Sequence, residues 1–239
     1  MDSDSDPNHL ALGRALDKSQ EERGQYRIEV LGKWFVVNPG VFSPKYFGSP
    51  AFFAKVFPYC AGDSLLEVGC GVGLVSVFAA LNCAKHVVAT DINPAAVENC
   101  RENARLNGVE TIVDCRVGDV FAPVARARFS KIFWNIPLGF TQKKDFSYLE
   151  QSVFDPGYSL AEKYFAGAAR HLEPKGRLFL GYSSTLGRMD LLNEIAGRHG
   201  YSLKILAEFS KENYLSQSGG SASIPVVKFE LFEAERITG

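Results

Sequence analysis

Residues 65 to 74 read LLEVGCGVGL: an apolar strand holding Glu67 that breaks into Gly69, Gly71 and Gly73 where a helix opens. Glycine at such a turn permits positive φ and lets the backbone approach a ligand with no Cβ in the way. The spacing narrows the ligand. A dinucleotide fingerprint, G-x-G-x-x-G, needs its third glycine at position 74, which is Leu74 here, so NAD is disfavoured. Two acids follow. Asp91 ends the run HVVATD and stands 18 residues past Gly73, close to the roughly 20 at which a ribose-binding carboxylate falls; it can accept from both ribose hydroxyls. Asp119, in VGDVF, can accept the exocyclic amine of a purine, with Ile92 and Val120 against the ring faces. Singly, each is also an ordinary strand end. Together, on the C-terminal edge of three successive strands, they point to an adenosine-containing ligand.

The elements that must hold these groups follow from periodicity. From residue 61, apolar strands (SLLEVG, HVVATD, TIVDCRVGD, KIFWNIP, RLFLGYSS) alternate with amphipathic helices, and buried strands separated by helices predict a parallel sheet. One helix is opened by Asn93 and Pro94 and closed by Gly108; another runs from about Leu160 to His171. YSLKILAEF and PVVKFELFEAE predict a terminal strand pair joined by the Gly/Ser segment SQSGGSAS. Before residue 61, Leu12, Ala15 and Leu16 mark one face of a short helix, and YRIEVLGKWFVV reads as a β-hairpin turning at Gly32. Ser49 is the predicted N-cap of the next helix, with Pro50 at its first position.

The whole chain bounds the function. Its 239 residues, 46% of them hydrophobic, fit one α/β domain with an extension. A net charge of -1 supplies no general positive field, so nucleic acid is not the expected partner, despite the Lys143–Lys144 pair. Five cysteines in no metal or disulfide rhythm read as reduced thiols and a cytoplasmic protein. The four histidines show no metal spacing. No apolar run reaches the roughly 18 residues that span a bilayer.

These motifs resemble those of the class I S-adenosylmethionine (SAM)-dependent methyltransferases over residues 61 to about 235. The resemblance implies a doubly wound, seven-stranded, mostly parallel Rossmann-like sheet with the last strand inserted antiparallel. It places Gly69 and Gly71 against the methionine part of SAM, Asp91 on ribose and Asp119 on adenine, with Glu67 supporting the loop. An adenosine ligand without phosphate accounts for the lack of a lysine after the glycines. On this reading residues 1–58 form a helix-and-hairpin lid and 59–239 the catalytic domain.

The stretch Asn135-Ile136-Pro137-Leu138 resembles the Asn-Pro-Pro-aromatic motif of glutamine and nucleic-acid-base amine methyltransferases, and NPGVFSPKYFGSP (38 to 50) resembles their lead-in. Asn135 would accept one N–H of a target amine and the Ile136 carbonyl another, aiming the nitrogen lone pair at the methyl. Pro137 keeps the turn rigid. Leu138 departs from the pattern: the family's aromatic stacks on a flat base or amide, and leucine has no π-face, which makes a base substrate less expected unless Phe140 or Trp134 substitutes. Phe42, Tyr46 and Phe47 are candidates for lid or substrate contacts, as are Asp145, Tyr148 and Asp155 in the long segment 141–157. The expected reaction is N-methylation of a small molecule or side chain. The alternatives are cyclisation of SAM itself to azetidine-2-carboxylate and a catalytically silent SAM-binding scaffold. The implied partner is thus a small substrate, or none beyond SAM, and the sequence gives no oligomeric state.

Overall fold

The structure, a computed structural model, describes residues 7–143, 145–212 and 226–237; Lys144 and the Gly/Ser segment lie outside the described residues. The chain opens with helix α1 (Pro7–Gln20), the hairpin β1 (Tyr26–Val30) and β2 (Lys33–Val37), and helix α2 (Ser49–Val56). The alternating region follows as β3 (Ser64–Val68), α3 (Leu74–Leu81), β4 (His86–Asp91), α4 (Pro94–Leu106), β5 (Val113–Val117) and β6 (Phe129–Asn135). Beyond it lie β7 (Gly139–Thr141), α5 (Tyr148–Gln151), β8 (Phe154–Pro156), α6 (Ser159–His171), β9 (Leu172–Tyr182), α7 (Met189–Arg198), β10 (Tyr201–Glu212) and β11 (Val226–Arg236).

The central sheet has seven strands in the order β10-β11-β9-β6-β3-β4-β5. The pairs from β9 to β5 are parallel, and β11 runs antiparallel between β9 and β10, as expected for a doubly wound α/β sheet with an inserted last strand. Apolar cores cover both faces. Along β6 the side chains alternate: Phe133 enters the core that includes α2 and α3, while Ile132 and Trp134 enter the one that includes α6 and α7. Val68 pairs with both Thr90 and Trp134, so β3, β4 and β6 end level. In open α/β sheets ligands bind outside such carboxyl ends.

Local chemistry sets the boundaries. Asn93 caps α4 by accepting the Ala95 N–H at 3.0 Å, with Pro94 at the helix start. The expected cap of α2 shifts by one residue: Gly48 is the N-cap and Ser49 is already helical, with no side-chain cap bond. The hairpin is fastened to α4 by two buried asparagines one helical turn apart. Asn103 accepts from the Val36 N–H at 2.7 Å and donates to Val36 and Val72 carbonyls, both at 2.9 Å. Asn99 accepts from the Asn38 N–H at 2.8 Å and donates to Val36 O at 2.9 Å. The outer edge of β2 therefore meets amide side chains where a further strand would otherwise lie. Among the described residues no helix is long and apolar enough to cross a membrane.

Candidate active site

The glycine turn after β3 has Gly69, Gly71 and Gly73 at φ of +61°, +53° and +82°. Two of them are required by the protein's own packing: a Cβ on Gly69 would sit 2.4 Å from Trp134 Nε1, and one on Gly73 2.5 Å from Cys100 Sγ. Gly71 differs. A Cβ there would meet nothing closer than the Phe42 carbonyl oxygen at 4.0 Å, so its bare backbone faces a cleft of about 950 Å³ of empty space, open solvent included.

Behind the turn lies Glu67. Its carboxylate accepts from the Ser76 N–H at 2.8 Å and from the Ser76 hydroxyl at 2.5 Å, which fixes it to the first turn of α3. Burial pushes its pKa up to about 8, the Ser76 bonds opposing. Asp91 accepts from the Gly71 N–H at 3.0 Å and the Asn93 N–H at 2.9 Å, one on each oxygen, and burial raises its pKa too. Each oxygen keeps a lone pair for a ribose hydroxyl. Asp119 lines the same cleft and pairs with Lys163 of α6 at 2.5 Å, a partner the sequence did not suggest. Ile92 and Val120 line the cleft as well. A bare glycine backbone beside an acid pinned by two backbone N–H groups, with a second acid in the same cleft, fits an adenosine carrying no phosphate.

The other wall comes from the chain before β3 and the segment after β6. Phe42, Pro50 and Phe53 line the cleft, as do Tyr148, Gln151 and Ser152. Asn135 and Pro137 line it too. A second, smaller cavity of about 370 Å³ of empty space adjoins, sharing Phe42, Asn135 and Ser152 with the cleft. Its remaining walls are mostly apolar: Leu12 of α1, Phe47, Ile136, Leu138, Val153, Leu186 and Phe229. Among the described residues, no ionisable side chain lines it. Asn135 thus borders both spaces, and among the described residues no hydrogen bond engages its side-chain amide.

Several candidates fall elsewhere. Gly73 supports the turn without lining the cleft, and Ile136 and Leu138 face the smaller cavity. Phe47 stacks on Phe42, centroids 4.3 Å apart. Tyr46 lines neither space; its hydroxyl donates to Glu22 at 2.8 Å. Phe140 packs edge-on against Tyr158 instead of standing in for the missing aromatic. Asp155 is fully buried and accepts from the Leu160 and Ala161 N–H groups at 2.9 and 3.0 Å, so it caps α6 and is not a substrate contact. Asp145 is exposed and lines neither space. Nothing in the sequence singles out Gln151 and Ser152, though Ser147 and Glu150 spell a capping box that marks the short helix presenting them.

The sheet order and the cleft at its carboxyl edge define a class I SAM-dependent methyltransferase, and SAM is its methyl donor. The chain belongs to the methyltransferase small domain family, whose model matches residues 32–204. It is 29% identical over 174 residues to a putative protein N5-glutamine methyltransferase of Methanocaldococcus jannaschii, covering 70% of this chain and 85% of that one. It is 32% identical over 179 residues to ribosomal RNA small subunit methyltransferase C of Escherichia coli, covering 74% of this chain but only 47% of that enzyme. The chain therefore spans about half the length of the rRNA enzyme. The solved complex of aTrm5 with tRNALeu shares the fold, with a TM-score of 0.60 at 18% identity over 89% of this chain and 53% of that one. These relatives correct the expectation drawn from net charge. An rRNA enzyme and a tRNA-bound protein occur on this scaffold, so a net charge of -1 does not argue against nucleic acid.

Proposed function

We propose that the protein is a SAM-dependent N-methyltransferase whose acceptor is an amide or amine nitrogen on a small molecule or a side chain. One observation carries this: the unengaged Asn135 amide stands at the end of β6 on the boundary between the cofactor cleft and the apolar cavity. SAM, when bound, supplies an electrophilic methyl group on a sulfonium. The Asn135 side-chain oxygen accepts an N–H of the acceptor and orients the nitrogen lone pair toward the cleft; it also favours the positive charge growing on nitrogen. Gly71, Asp91 and Asp119 hold the methionine, ribose and adenine portions. Phe42, Phe53 and Trp134 exclude water from the space between.

The cavity's apolar walls and lack of charge favour an acceptor that enters neutral, because a protonated amine would lose its hydration there without a counter-ion. Leu138 lines that cavity where an aromatic would offer a stacking face. The putative protein N5-glutamine methyltransferase, matched over most of its length, supports a side-chain nitrogen. Cyclisation of SAM has no feature of the site or family in its favour.

The test is incubation of purified protein with SAM and, separately, a blocked glutamine peptide, a small primary amine and an rRNA fragment, followed by mass spectrometry. S-adenosylhomocysteine together with a methylated amide or amine is the expected outcome. Methylation of a nucleobase alone, or methylthioadenosine released without an acceptor, would overturn the reading. Leu138→Tyr should lower the rate by filling the cavity; a rate gain would indicate a flat acceptor, nucleobase or amide, stacked on the ring.

A further inference from the structure

We propose that Tyr158 is a positioning residue for the Asn135 to Leu138 turn, holding it through a directed chain of hydroxyl hydrogen bonds that starts at Tyr182. The inference rests on the methyl-transfer reading above. Tyr158 Oη lies 2.8 Å from the Leu138 carbonyl oxygen, 2.6 Å from Tyr182 Oη and 2.8 Å from the Arg188 backbone nitrogen. A carbonyl only accepts and a backbone N–H only donates. The single hydrogen of Tyr158 therefore goes to Leu138, and its oxygen receives the Arg188 N–H and the Tyr182 O–H. Both phenols are buried and both keep their hydrogens, since burial raises their pKa values. The direction of the chain is thereby fixed.

Two backbone features make the chain possible. Tyr158 sits at φ +55°, an uncommon conformation for a residue with a Cβ, at the N-cap of α6. Gly187 is required beside Tyr182, since a Cβ there would lie 2.1 Å from the Tyr182 oxygen. The remaining turn contacts are on N–H groups: Ile136 N–H donates to Gly181 O at 3.2 Å, and the Leu138 and Gly139 N–H groups to Val153 O at 3.1 and 2.8 Å. Pro137 has its φ locked by its ring. The Leu138 carbonyl and the Gly139 N–H belong to one planar peptide, so the Val153 carbonyl holds one edge of it and the Tyr158 hydroxyl the opposite edge. Tyr158 lines neither the cleft nor the cavity, so it acts through Leu138.

Tyr158→Phe and Tyr182→Phe each delete one buried hydroxyl, and only the first removes the donor to Leu138. Tyr158→Phe, which gives up three hydrogen bonds against one for Tyr182→Phe, should lose more thermal stability, and both should keep wild-type SAM affinity. With SAM and a blocked glutamine peptide, kcat should fall at least about tenfold for Tyr158→Phe and less than about threefold for Tyr182→Phe, because misplacement of an acceptor group costs rate steeply. Equal falls, or a wild-type kcat for Tyr158→Phe, would overturn the assignment. A second measurement does not depend on turnover: the ¹³C resonance of a labelled Leu138 carbonyl should move in Tyr158→Phe and stay in Tyr182→Phe. If the wild type fails to methylate the peptide while that resonance behaves as described, the acceptor reading fails and the positioning role stands. An unmoved resonance in Tyr158→Phe overturns the positioning role itself.

Discussion

Gly71 donates its backbone N–H to the Asp91 carboxylate at 3.0 Å, so the glycine turn after β3 and the acid that ends β4 form one unit. The other carboxylate oxygen holds the Asn93 N–H at the start of α4. Asp91 is therefore placed by the backbone before any ligand arrives, and it orders Gly71, whose bare backbone faces the cleft.

Asp91→Ala should weaken SAM binding by about 1 to 3 kcal/mol, since it leaves both the ribose hydroxyls and the Gly71 N–H without a partner. Calorimetry with SAM measures this directly. Unchanged affinity would remove Asp91 from the ribose site.

Much of this was legible in the sequence because it is local. A glycine run after an apolar strand, acids at the next two strand ends and Asn-Pro at a helix start each signal through neighbours in the chain, and the alternating pattern gave the parallel sheet. What stayed hidden is non-local. Asn99 and Asn103 look like polar residues on a surface helix until β2 is laid against them, and Lys163 reaches Asp119 across 44 positions of sequence. Asp155 shows the converse error: its place in the long segment after β6 suggested substrate, while its bonds lead to the helix start five residues on. Net charge misled because it averages over a surface and says nothing about which partner the scaffold serves.

Glu67 should give a pH signature. Its carboxyl titrates near 4.5 when exposed and near 8 in the fold, so the folded state favours the protonated form. The stabilisation from holding that proton is complete below about pH 4.5 and is lost as pH rises toward 8. Glu67→Gln lacks this dependence. Relative to wild type, the variant should become progressively more stable between about pH 5 and pH 8, by up to a few kcal/mol, in urea unfolding of the SAM-free protein. Parallel curves across that range would show that the carboxyl is ionised throughout.

The N-terminal segment should matter for the acceptor more than for the cofactor. Leu12 of α1 walls the small cavity, while among the described residues none from α1 lines the cleft. We propose that α1 closes the acceptor space. Removal of residues 1–24 should leave SAM affinity within about threefold and lower the rate with acceptor at least about tenfold. Loss of SAM binding in a folded truncation would show that the segment serves the cofactor instead.

The central claim is that Asn135 orients an acceptor nitrogen at the boundary of the two spaces. Its most direct test is the rate of S-adenosylhomocysteine formation with a saturating blocked glutamine peptide, for wild type and Asn135→Ala, beside the SAM dissociation constant of each. The predicted result is a fall in kcat of at least about a hundredfold with SAM affinity changed less than about threefold, because the Asn135 contact strengthens as charge grows on nitrogen. Turnover preserved in Asn135→Ala, or lost only in step with SAM affinity, would contradict it.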